Sequence, residues 1–388
     1  MKWDVIIIGA GAYGLMTAVF AARRGRKVLL LERNEQAGKK ILISGGGRCN
    51  YTNLHTSSEN FISDNPHFTR NILSRWRVQD TIDFFARYGI HPAEKTLGQL
   101  FPLSNKARDF RDGLLHEALT LGAEIHYGIR VKTVTPMSPG FEIRTEEGIS
   151  FVSEKLVIAT GGKSIPPLGA TDFGLQLASS WGMKLIPDAP ALVPFTAEKS
   201  EEEVCSTLSG LSVDAVARLG KTSFREAVLF THKGWSGPAI LQISSYWKQG
   251  DQVEIDCLPN WELSATILGT TPPVQWLSDK LPSRFLSRIA EEMPFIRKRP
   301  AEISRKDFQK LEQRLKHLNI HPSGTLGYAK AEVMRGGVDT RELIPQTLES
   351  KKVPGSYWGG EVIDVTGWLG GYNFQWAWAC GVATGNVV

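Results

Sequence analysis

The stretch from residue 4 to residue 32 constrains the fold more than any other part of the sequence. A short β-branched apolar run at 4–8 leads into G-A-G-A-Y-G at 9–14, followed by an Ala-rich helical pattern and a second apolar run. That run ends at Glu32, about 20 residues after the glycines, where an acid accepts hydrogen bonds from a ribose. A glycine-rich turn alone occurs in many proteins. The full order of strand, turn, helix, strand and acid predicts a parallel α/β fold that binds a dinucleotide.

Each position of the turn has a physical role in this prediction. Gly9 allows the tight turn, Gly11 lets the backbone approach a pyrophosphate, and Gly14 lets helix and strand pack closely. The free N–H groups at the helix start, where Ala12 and Tyr13 lie, attract the phosphates. Tyr13 is larger than the residue usual at its position, so we expect it to crowd the phosphate side slightly.

Later segments favour FAD over NAD as the dinucleotide. Residues 155–162 predict a buried strand ending in A-T-G-G, an element common in flavoproteins of the two-dinucleotide type. Residues 360–364 predict a strand ending in an acid near the ribityl chain. Residues 370–375 predict the start of a last helix, whose positive end would stabilise charge on reduced flavin. No second G-x-G-x-x-G follows a strand, so we expect no resident nicotinamide domain, and NAD(P)H as a transient reductant.

Length and composition are typical of a soluble enzyme with two or three domains. The chain has 388 residues, well above the roughly 150 of one domain. Its 42% hydrophobic residues exclude a disordered chain, and the absence of a glycine period excludes a collagen-like one. The apolar runs are far shorter than the ~20 residues of a membrane helix, and we expect a cytoplasmic protein without a signal peptide. The four cysteines lie far apart, so we predict neither disulfides nor a metal site.

The string at residues 38–53 is the most specific in the sequence. It reads G-K-K-I-L-I-S-G-G-G-R-C-N-Y-T-N, and further specific strings lie at 229–238, 331–338 and 347–351. Together with the terminal G-E and G-G-Y-N segments, these strings resemble the bacterial aminoacetone oxidase-like flavoprotein family over essentially the whole chain. Members of that family are linked to amine oxidation, to reduction of unsaturated bile-acid ketones and to dihydrouridine synthesis in ribosomal RNA. The segments that look most like the ribosomal RNA branch are 65–68, 95–101 and 366–371. Met334 departs from the family, which usually has Thr there.

Residues from both ends of the chain are expected to contact FAD. The expected contacts are Gly9, Gly11, Ala12, Tyr13, Gly14, Glu32, Arg33, Lys40, Ser44, Gly45, Gly46, Arg48, Asn50, Val131, Thr160, Gly161, Gly360, Glu361, Asp364, Gly371, Tyr372, Asn373 and Phe374. The consecutive glycines of the 38–53 string allow close backbone approach to a ligand. Its basic residues offer charge to a pyrophosphate or a substrate, and the alternative is a solvated basic turn.

The hydrophobic pattern divides the chain into three parts. We predict a discontinuous FAD-binding Rossmann-type domain at 1–185 plus 339–388, and a β-rich, barrel-like insert at 186–270 plus 325–338. A basic helical subdomain is predicted at 271–324, where prolines divide the helical pattern into short helices.

Two residues are candidates for proton transfer. Reduction of the 5,6 double bond of uracil needs a hydride at C6 and a proton at C5, and therefore a general acid. Cys49 follows Arg48, which we expect to favour its thiolate, and the alternative is a small residue packed beside the cofactor. His232 lies in a T-H-K-G turn, and the alternative there is a hydrogen-bonded structural histidine.

Positive charge is concentrated in the predicted helical subdomain. Between Lys280 and His317 there are eleven Lys or Arg and five Asp or Glu, whereas the chain as a whole carries +5. The residues expected to contact RNA phosphates are Arg297, Lys298, Arg299, Arg305 and Lys306. A solvated helix surface is the alternative.

Three functions remain open at this point. The residues and the resemblance together favour an FAD-dependent oxidoreductase that reduces a uridine of large-subunit ribosomal RNA, on free RNA or a ribosomal precursor. A small-molecule flavin oxidase or enone reductase is the first alternative. A non-catalytic FAD-binding protein that binds RNA or another partner is the second.

Overall fold

The chain forms two compact units in the computed structural model, which describes residues 2–263 and 268–388. Unit 1 comprises Met1–Ala189 and Val333–Val388, and unit 2 comprises Pro190–Glu332. The chain therefore leaves unit 1 once and returns to it. Most of the predicted β-rich insert and the whole of 271–324 fall within unit 2, while 333–338 belongs to unit 1. A separate helical subdomain stays a prediction.

The strands are numbered along the chain. In unit 1 and its junction with unit 2 they are β1 (Lys2–Ile8), β2 (Val28–Leu31), β3 (Thr52–Asn53), β4 (Phe61–Ile62), β5 (Pro92–Glu94), β6 (Gln99–Pro102), β7 (Glu124–His126), β8 (Val131–Met137), β9 (Gly140–Thr145), β10 (Ser150–Ile158) and β11 (Leu185–Ala191). They continue as β12 (Phe195–Ala197), β13 (Ser212–Leu219), β14 (Thr222–Thr231), β15 (Gly234–Ser236), β16 (Val253–Asp256), β17 (Leu318–Ile320), β18 (Pro322–Thr325), β19 (Val333–Val338), β20 (Ser356–Trp358) and β21 (Thr366–Gly367).

The helices are numbered in the same way over the described residues. They are α1 (Ala12–Arg23), α2 (Lys39–Gly47), α3 (Phe68–Arg75), α4 (Val78–Ala86), α5 (Arg108–Thr120), α6 (Phe173–Ser180), α7 (Lys199–Thr207), α8 (Pro238–Ser244), α9 (Pro273–Leu277), α10 (Ser283–Glu292), α11 (Arg305–Lys316) and α12 (Tyr372–Gly385). Among these helices, none has both the length and the apolar character that a bilayer span requires.

A seven-stranded sheet organises unit 1. Its order is β7-β2-β1-β10-β9-β8, with β20 also paired to β10. The central pairs are parallel, with Ile6 opposite both Leu29 and Leu156, whereas β9 and β8 extend the sheet antiparallel. The strands predicted at both ends of the first βαβ unit are confirmed. They are buried on both faces because helices cover a parallel sheet.

Helix α1 packs between the sheet and α12 at very short range. It contacts β1 and β2 on one side and α12 on the other. The approach is possible because α12 carries Gly381 and Gly385 at the interface. A Cβ at Gly381 would lie 2.5 Å from Met16 Cβ, and one at Gly385 would lie 2.5 Å from Phe20 Cβ and 2.9 Å from the Thr17 carbonyl oxygen. Glycine is therefore required here by packing.

We expect Gly385→Ala to lower the free energy of unfolding. Overpacking against a backbone carbonyl costs about 1–3 kcal/mol, which outweighs the ~1 kcal/mol that alanine contributes to a helix over glycine. The measurement is urea unfolding of the variant beside the wild type. A more stable variant would contradict the close approach of the two helices. It would show that the higher helix propensity of alanine acts without an opposing steric cost.

Unit 2 contains a second seven-stranded sheet, which is antiparallel throughout. Its order is β17-β16-β13-β14-β15-β12-β18. The first and last strands of this order, which end at Ile320 and begin at Pro322, are separated in the chain by His321 alone. Because consecutive Cα atoms lie about 3.8 Å apart, the two edges of the sheet must meet there. This geometry supports the predicted barrel-like insert.

Helix α10 of unit 2 buries one apolar face. In α10 the buried residues include Phe285, Leu286 and Ile289, and the Phe285 ring lies 5.8 Å from that of Phe230 in β14. Prolines begin the two short turns that follow α10, as predicted. The 3₁₀ turns Pro294–Arg297 and Pro300–Glu302 separate α10 from α11.

Candidate cofactor site and basic surface

The glycines of the first turn divide into two groups by what surrounds them. A Cβ at Gly9, which has φ +105°, would collide with the Ala159 carbonyl oxygen, and one at Gly14 would collide with the Gly9 carbonyl oxygen. A Cβ at Gly11 would meet nothing within 4 Å, although its backbone is extended (φ −83°, ψ −166°). Protein packing thus requires Gly9 and Gly14. Gly11 borders open space at the N-terminus of α1, where the dipole and free N–H groups favour a phosphate.

The segment after β10 contains a second glycine without close neighbours on its open side. Ala159 packs against Gly9, and a Cβ at Gly161, which has φ +70°, would likewise meet nothing within 4 Å. Thr160 and Gly161 are both half-buried. Gly11 and Gly161 are therefore two positions where no protein atom would obstruct a side chain, and at Gly11 the open side lies at the N-terminus of α1.

Glu32 is fixed at the end of β2 by donors from its surroundings. One carboxylate oxygen accepts from the Ala10 N–H at 2.9 Å, and the other accepts from the Asn34 N–H at 2.9 Å and its side-chain amide at 2.8 Å. The residue is buried, whereas the neighbouring Arg33 is exposed. Val131, at the start of β8, is half-buried. The carboxylate is held rigidly beside the turn, and its contact with a ribose stays a prediction.

Tyr13 does not crowd the phosphate side, so this expectation was wrong. Its ring packs against the backbone of Gly359 and Gly360, where a Cβ at Gly359 would lie 2.7 Å from the ring. Its hydroxyl lies 2.9 Å from Thr384 Oγ1. Burial raises the pKa of Tyr13 well above its ordinary value. The side chain is a neutral part of the interior between α1 and α12.

Lys40, Ser164 and Glu361 form one polar cluster. Lys40 Nζ donates to Ser164 Oγ at 2.6 Å and to Glu361 Oε2 at 2.5 Å, and Ser164 Oγ donates to Glu361 Oε1 at 2.7 Å. The Met334 N–H donates to the same Oε1 at 2.9 Å. Four distant parts of the chain therefore meet at Glu361. The sequence prediction missed Ser164, which follows the A-T-G-G motif but carries no signal of its own.

Glu361 lies in a 3₁₀ turn, Gly360–Val362, and the strand predicted at 360–364 is wrong. Gly360 adopts φ +70°, which a strand does not accommodate, because the backbone bends around the Tyr13 ring. Asp364 accepts from the Asp64 N–H at 2.7 Å and from Ser63 Oγ at 3.3 Å. Burial raises the pKa of Asp364. Its carboxylate thus anchors the segment at 63–64.

The glycine-rich string forms the end of α2 and an exposed turn. Ser44 and the two glycines after it leave helical geometry, and Ser44 Oγ donates to the Ile41 carbonyl at 2.7 Å. Gly45 and Gly46 have φ of +55° and +67° and are exposed. Arg48 Nε donates to the Gly45 carbonyl at 2.9 Å, and its guanidinium lies 5.2 Å from the centre of the Phe101 ring. The turn presents backbone and one cation to the surface.

Cys49 is buried, and the expectation that Arg48 favours its thiolate was wrong. The side chain is 0% exposed, and the residue has φ +61°. Burial raises the pKa of Cys49 to about 12, opposed only by a hydrogen bond with Ser44. Arg48 is directed to Gly45 and Phe101 instead. The prediction from the neighbouring Arg48 therefore has the wrong sign for the pKa shift of Cys49. Loss of solvent around the thiol raises this pKa and outweighs the effect of a nearby cation.

This burial predicts an alkaline loss of stability. The Cys49 thiol is neutral in the fold up to a pKa of about 12, while its ordinary pKa is near 9. Its contribution to the free energy of unfolding is therefore complete below about pH 9 and is lost as the pH rises toward about 12. We expect Cys49→Ala to reduce the decline of the urea midpoint between about pH 8 and about pH 11. Identical pH profiles for both proteins would contradict this account.

The start of α12 is organised by side chains that cap and pack. Gly371 has φ +100°, and a Cβ there would collide with the Thr52 carbonyl oxygen. Asn373 Oδ1 accepts from the Gly367 N–H at 2.8 Å, and its amide donates to the Gly367 carbonyl at 2.9 Å. Tyr372 is buried, with its ring 6.3 Å from Phe61. These contacts fix the N-terminus of the helix.

Two further predicted contacts lie around this helix start. The Asn50 amide is 3.2 Å from Gln99 Oε1, and a Cβ at Gly371 would lie 2.7 Å from Asn50 Oδ1. Phe374 stacks on Trp378 with ring centres 5.4 Å apart. Asn50 therefore adjoins the start of the helix, while the Phe374 ring packs along it.

His232 lies in the turn between β14 and β15 of unit 2 and is exposed. The preceding Thr231 shapes this turn, since its hydroxyl donates to the Gly234 carbonyl at 3.1 Å. The imidazole is therefore presented to solvent at the tip of a hairpin, and it is not part of the interior of unit 2.

The five cations predicted to bind RNA differ in exposure and in pairing from other basic residues of the same region. All of them are exposed, and none of their side chains forms a hydrogen bond or ion pair with another residue in the described parts of the chain. They are Arg297, Lys298, Arg299, Arg305 and Lys306, and together they are called the basic surface below. Arg305 and Lys306 begin α11, where the helix dipole disfavours a cation.

Other basic residues of the region serve the fold. Arg284 donates to the Ser209 carbonyl at 2.5 Å, and Arg314 pairs with Glu292 at 3.0 Å. Lys310 pairs with Asp307 at 3.1 Å. The basic surface, in contrast, carries charge that no ion pair among the described residues of unit 2 uses.

Comparisons with known proteins extend over nearly the full chain. The family model described as the HI0933-like protein Rossmann domain matches residues 3–387. A ribosomal RNA dihydrouridine synthase of Escherichia coli is 43% identical over 97% of this chain and 96% of its own length. A protein of the same name from Haemophilus influenzae is 41% identical over the same shares. A 3-dehydro-bile acid Δ(4,6)-reductase of Clostridium scindens is 34% identical over 98% of this chain and 97% of its own.

Solved structures share the fold. A 3-ketosteroid-Δ4-(5α)-dehydrogenase from Rhodococcus jostii aligns with a TM-score of 0.50 at 14% identity, covering 99% of this chain and 97% of its own. A flavocytochrome c3 fumarate reductase gives the same score and identity over 99% of this chain and 78% of its own. At this identity the likeness establishes the fold alone. With the full-length family match, it shows that the chain belongs to the HI0933-like family of FAD-dependent oxidoreductases with a Rossmann-type fold.

Proposed function

We propose that this protein reduces a uridine of large-subunit ribosomal RNA to dihydrouridine, using FAD and electrons from NAD(P)H. The observation that carries the proposal is the 41–43% identity, over nearly the full chain, to two ribosomal RNA dihydrouridine synthases. Such a substrate is met in the cytoplasm. The basic surface adds support, because its five exposed cations suit a polyanion.

Unit 1 holds FAD in this proposal. The open space beside Gly11 accommodates the pyrophosphate at the N-terminus of α1, and Glu32 binds a ribose. The cluster of Lys40, Ser164 and Glu361 offers donors and acceptors to the polyol part of the cofactor. Bound FAD, once reduced, supplies the hydride for C6 of uracil. The N-terminus of α12 offers its positive end to negative charge on the cofactor.

The proton for C5 must come from a donor on the surface or from solvent. We do not assign this role to Cys49, because its side chain is completely buried and has no surface to present to a base. His232 is the candidate we retain, since it is exposed and imidazole is the side chain most often used in general acid–base catalysis. We expect Cys49→Ala to keep the single-turnover rate and His232→Gln to lower it by ~10²-fold.

Reduction of an unsaturated ketone is the second candidate function. The 34% identity to the bile acid reductase, over 98% of this chain, favours it. That relative is less similar than the two RNA-modifying ones. A small apolar substrate would also leave the basic surface without a role.

The direct test is reconstitution. Ribosomal RNA from cells that lack this gene, and ribosomal precursor particles from the same cells, are incubated with purified protein and NADPH or NADH, and dihydrouridine is measured by mass spectrometry of nucleosides. The proposal expects one new dihydrouridine per large-subunit RNA. Flavin reduction that is followed by conversion of an enone substrate, with RNA and particles both unmodified, would overturn it in favour of the second candidate.

A further inference from the structure

An exposed tryptophan lies in unit 2, the unit that carries the basic surface. Trp261 is 47% exposed, the largest exposed aromatic side chain among the described residues. Isolated exposed apolar residues are ordinary. Trp261 differs from them because contacts with Lys280, Lys316 and Trp276 fix its position.

Two lysines hold Trp261 in place. Lys316 Nζ donates to the Trp261 carbonyl at 2.8 Å and to the Leu258 carbonyl at 2.9 Å. Lys280 Nζ lies 4.6 Å from the centre of the Trp261 ring and 4.0 Å from that of Trp276. The two indole rings meet edge to face, 5.9 Å apart at 89°. The Trp261 ring is thus supported by a cation and a second indole while about half of its surface stays open.

The same elements connect Trp261 to the basic surface. Helix α9, which carries Trp276, packs against the 3₁₀ turn Pro294–Arg297, where the basic surface begins. Lys316 ends α11, and Arg305 begins it. At 1.5 Å per residue, this helix is about 18 Å long. An RNA strand long enough to span α11 would therefore extend from Arg305 to the end of the helix at Lys316, which binds the Trp261 carbonyl.

We propose that Trp261 is a stacking platform for an unpaired base of the RNA that the basic surface binds. Proteins that bind single-stranded RNA combine cations for the backbone with aromatic faces for the bases. A base within a duplex is stacked on its neighbours and does not offer its face. The site therefore selects single-stranded or looped RNA, a property that the charges alone do not provide. This inference rests on the proposed function, since it takes RNA as the ligand.

The test compares single-stranded with duplex RNA. Fluorescence anisotropy measures the affinity of the full-length flavoprotein for a labelled short oligouridine and for a labelled blunt-ended RNA duplex. We expect Trp261→Ala to weaken oligouridine binding about tenfold and to leave binding of the blunt-ended duplex unchanged. Trp261→Phe should keep most of the affinity, because phenylalanine also stacks. The matched control is Ile149→Ala, which truncates an apolar side chain that is 48% exposed in unit 1.

Each outcome decides the inference separately from the proposed function. Equal oligouridine affinity for Trp261→Ala and wild type would overturn the inference, even if the wild type forms dihydrouridine. Equal losses in Trp261→Ala and Trp261→Phe, with unchanged thermal unfolding, would also overturn it. A selective loss in Trp261→Ala alone would support the platform even if the wild type formed no dihydrouridine, in which case only the proposed function fails.

Discussion

Reversing the charge of Arg297, Lys298 and Arg299 to glutamate should abolish modification of ribosomal RNA while the protein stays folded. These side chains have no partner within the described residues, so their replacement disturbs no interaction of the fold. Removal of each phosphate interaction should reduce the slope of log affinity against log salt by roughly 0.7–0.9. We expect RNA affinity to fall by roughly 100-fold at physiological salt. Reduction of the flavin by NADPH should be unchanged.

A second triple variant controls for net charge. Lys132, Lys221 and Lys248 are exposed and lie outside the basic surface. Replacing all three with glutamate changes the formal charge by the same six units, from +5 to −1. We expect this control to keep its RNA modification and most of its salt dependence. Equal losses in the two triple variants would show that overall charge, and not the basic surface, controls binding.

Replacing Gly11 with leucine should give a folded protein that is colourless. The backbone at Gly11 is extended, which any residue adopts, and a Cβ there meets nothing within 4 Å. The fold therefore accommodates the leucine, but its side chain occupies the space that a pyrophosphate needs. We expect FAD affinity to fall by at least ~100-fold, since the loss includes the charge-assisted hydrogen bonds at the helix N-terminus. Absorbance of the purified protein and titration with FAD measure the effect.

The control for this change is Gly324→Leu. Gly324 also lacks a left-handed backbone, and the nearest atom to its Cβ position is Thr196 Oγ1 at an ordinary 3.4 Å. It lies in β18 of unit 2, so the variant should purify with its flavin. A yellow Gly11→Leu protein with normal affinity would contradict our placement of the pyrophosphate. Gly14→Leu differs from both, because its collision with the Gly9 carbonyl should prevent folding.

Local patterns in the sequence predict the parts of the fold in which neighbours along the chain decide the structure. The first βαβ unit is one example: β-branched residues form buried strands, and Gly9 and Gly14 occupy positions where only glycine packs. The basic surface is another. Charged side chains are usually exposed. Arg297, Lys298 and Arg299 also lie between two prolines that begin short turns.

Features that depend on contacts between distant segments cannot be predicted from local sequence patterns. Ser164 joins Lys40 and Glu361 across more than a hundred residues, so nothing near it in the sequence indicates its role. The prediction for the acidity of Cys49 has the wrong sign because burial, which depends on the whole fold, outweighs an adjacent arginine. The strand prediction at Gly360 is wrong because the ring of Tyr13, which bends the backbone there, is remote in sequence.

If this chain makes dihydrouridine in ribosomal RNA, as we propose, the modification depends on its gene. The most direct measurement is a map of dihydrouridine in large-subunit ribosomal RNA from cells with and without this gene, complemented by the wild type and by the Arg297, Lys298 and Arg299 charge-reversal variant. We expect that one dihydrouridine disappears without the gene, returns with the wild type and stays absent with the variant. An unchanged map in cells without the gene would contradict it.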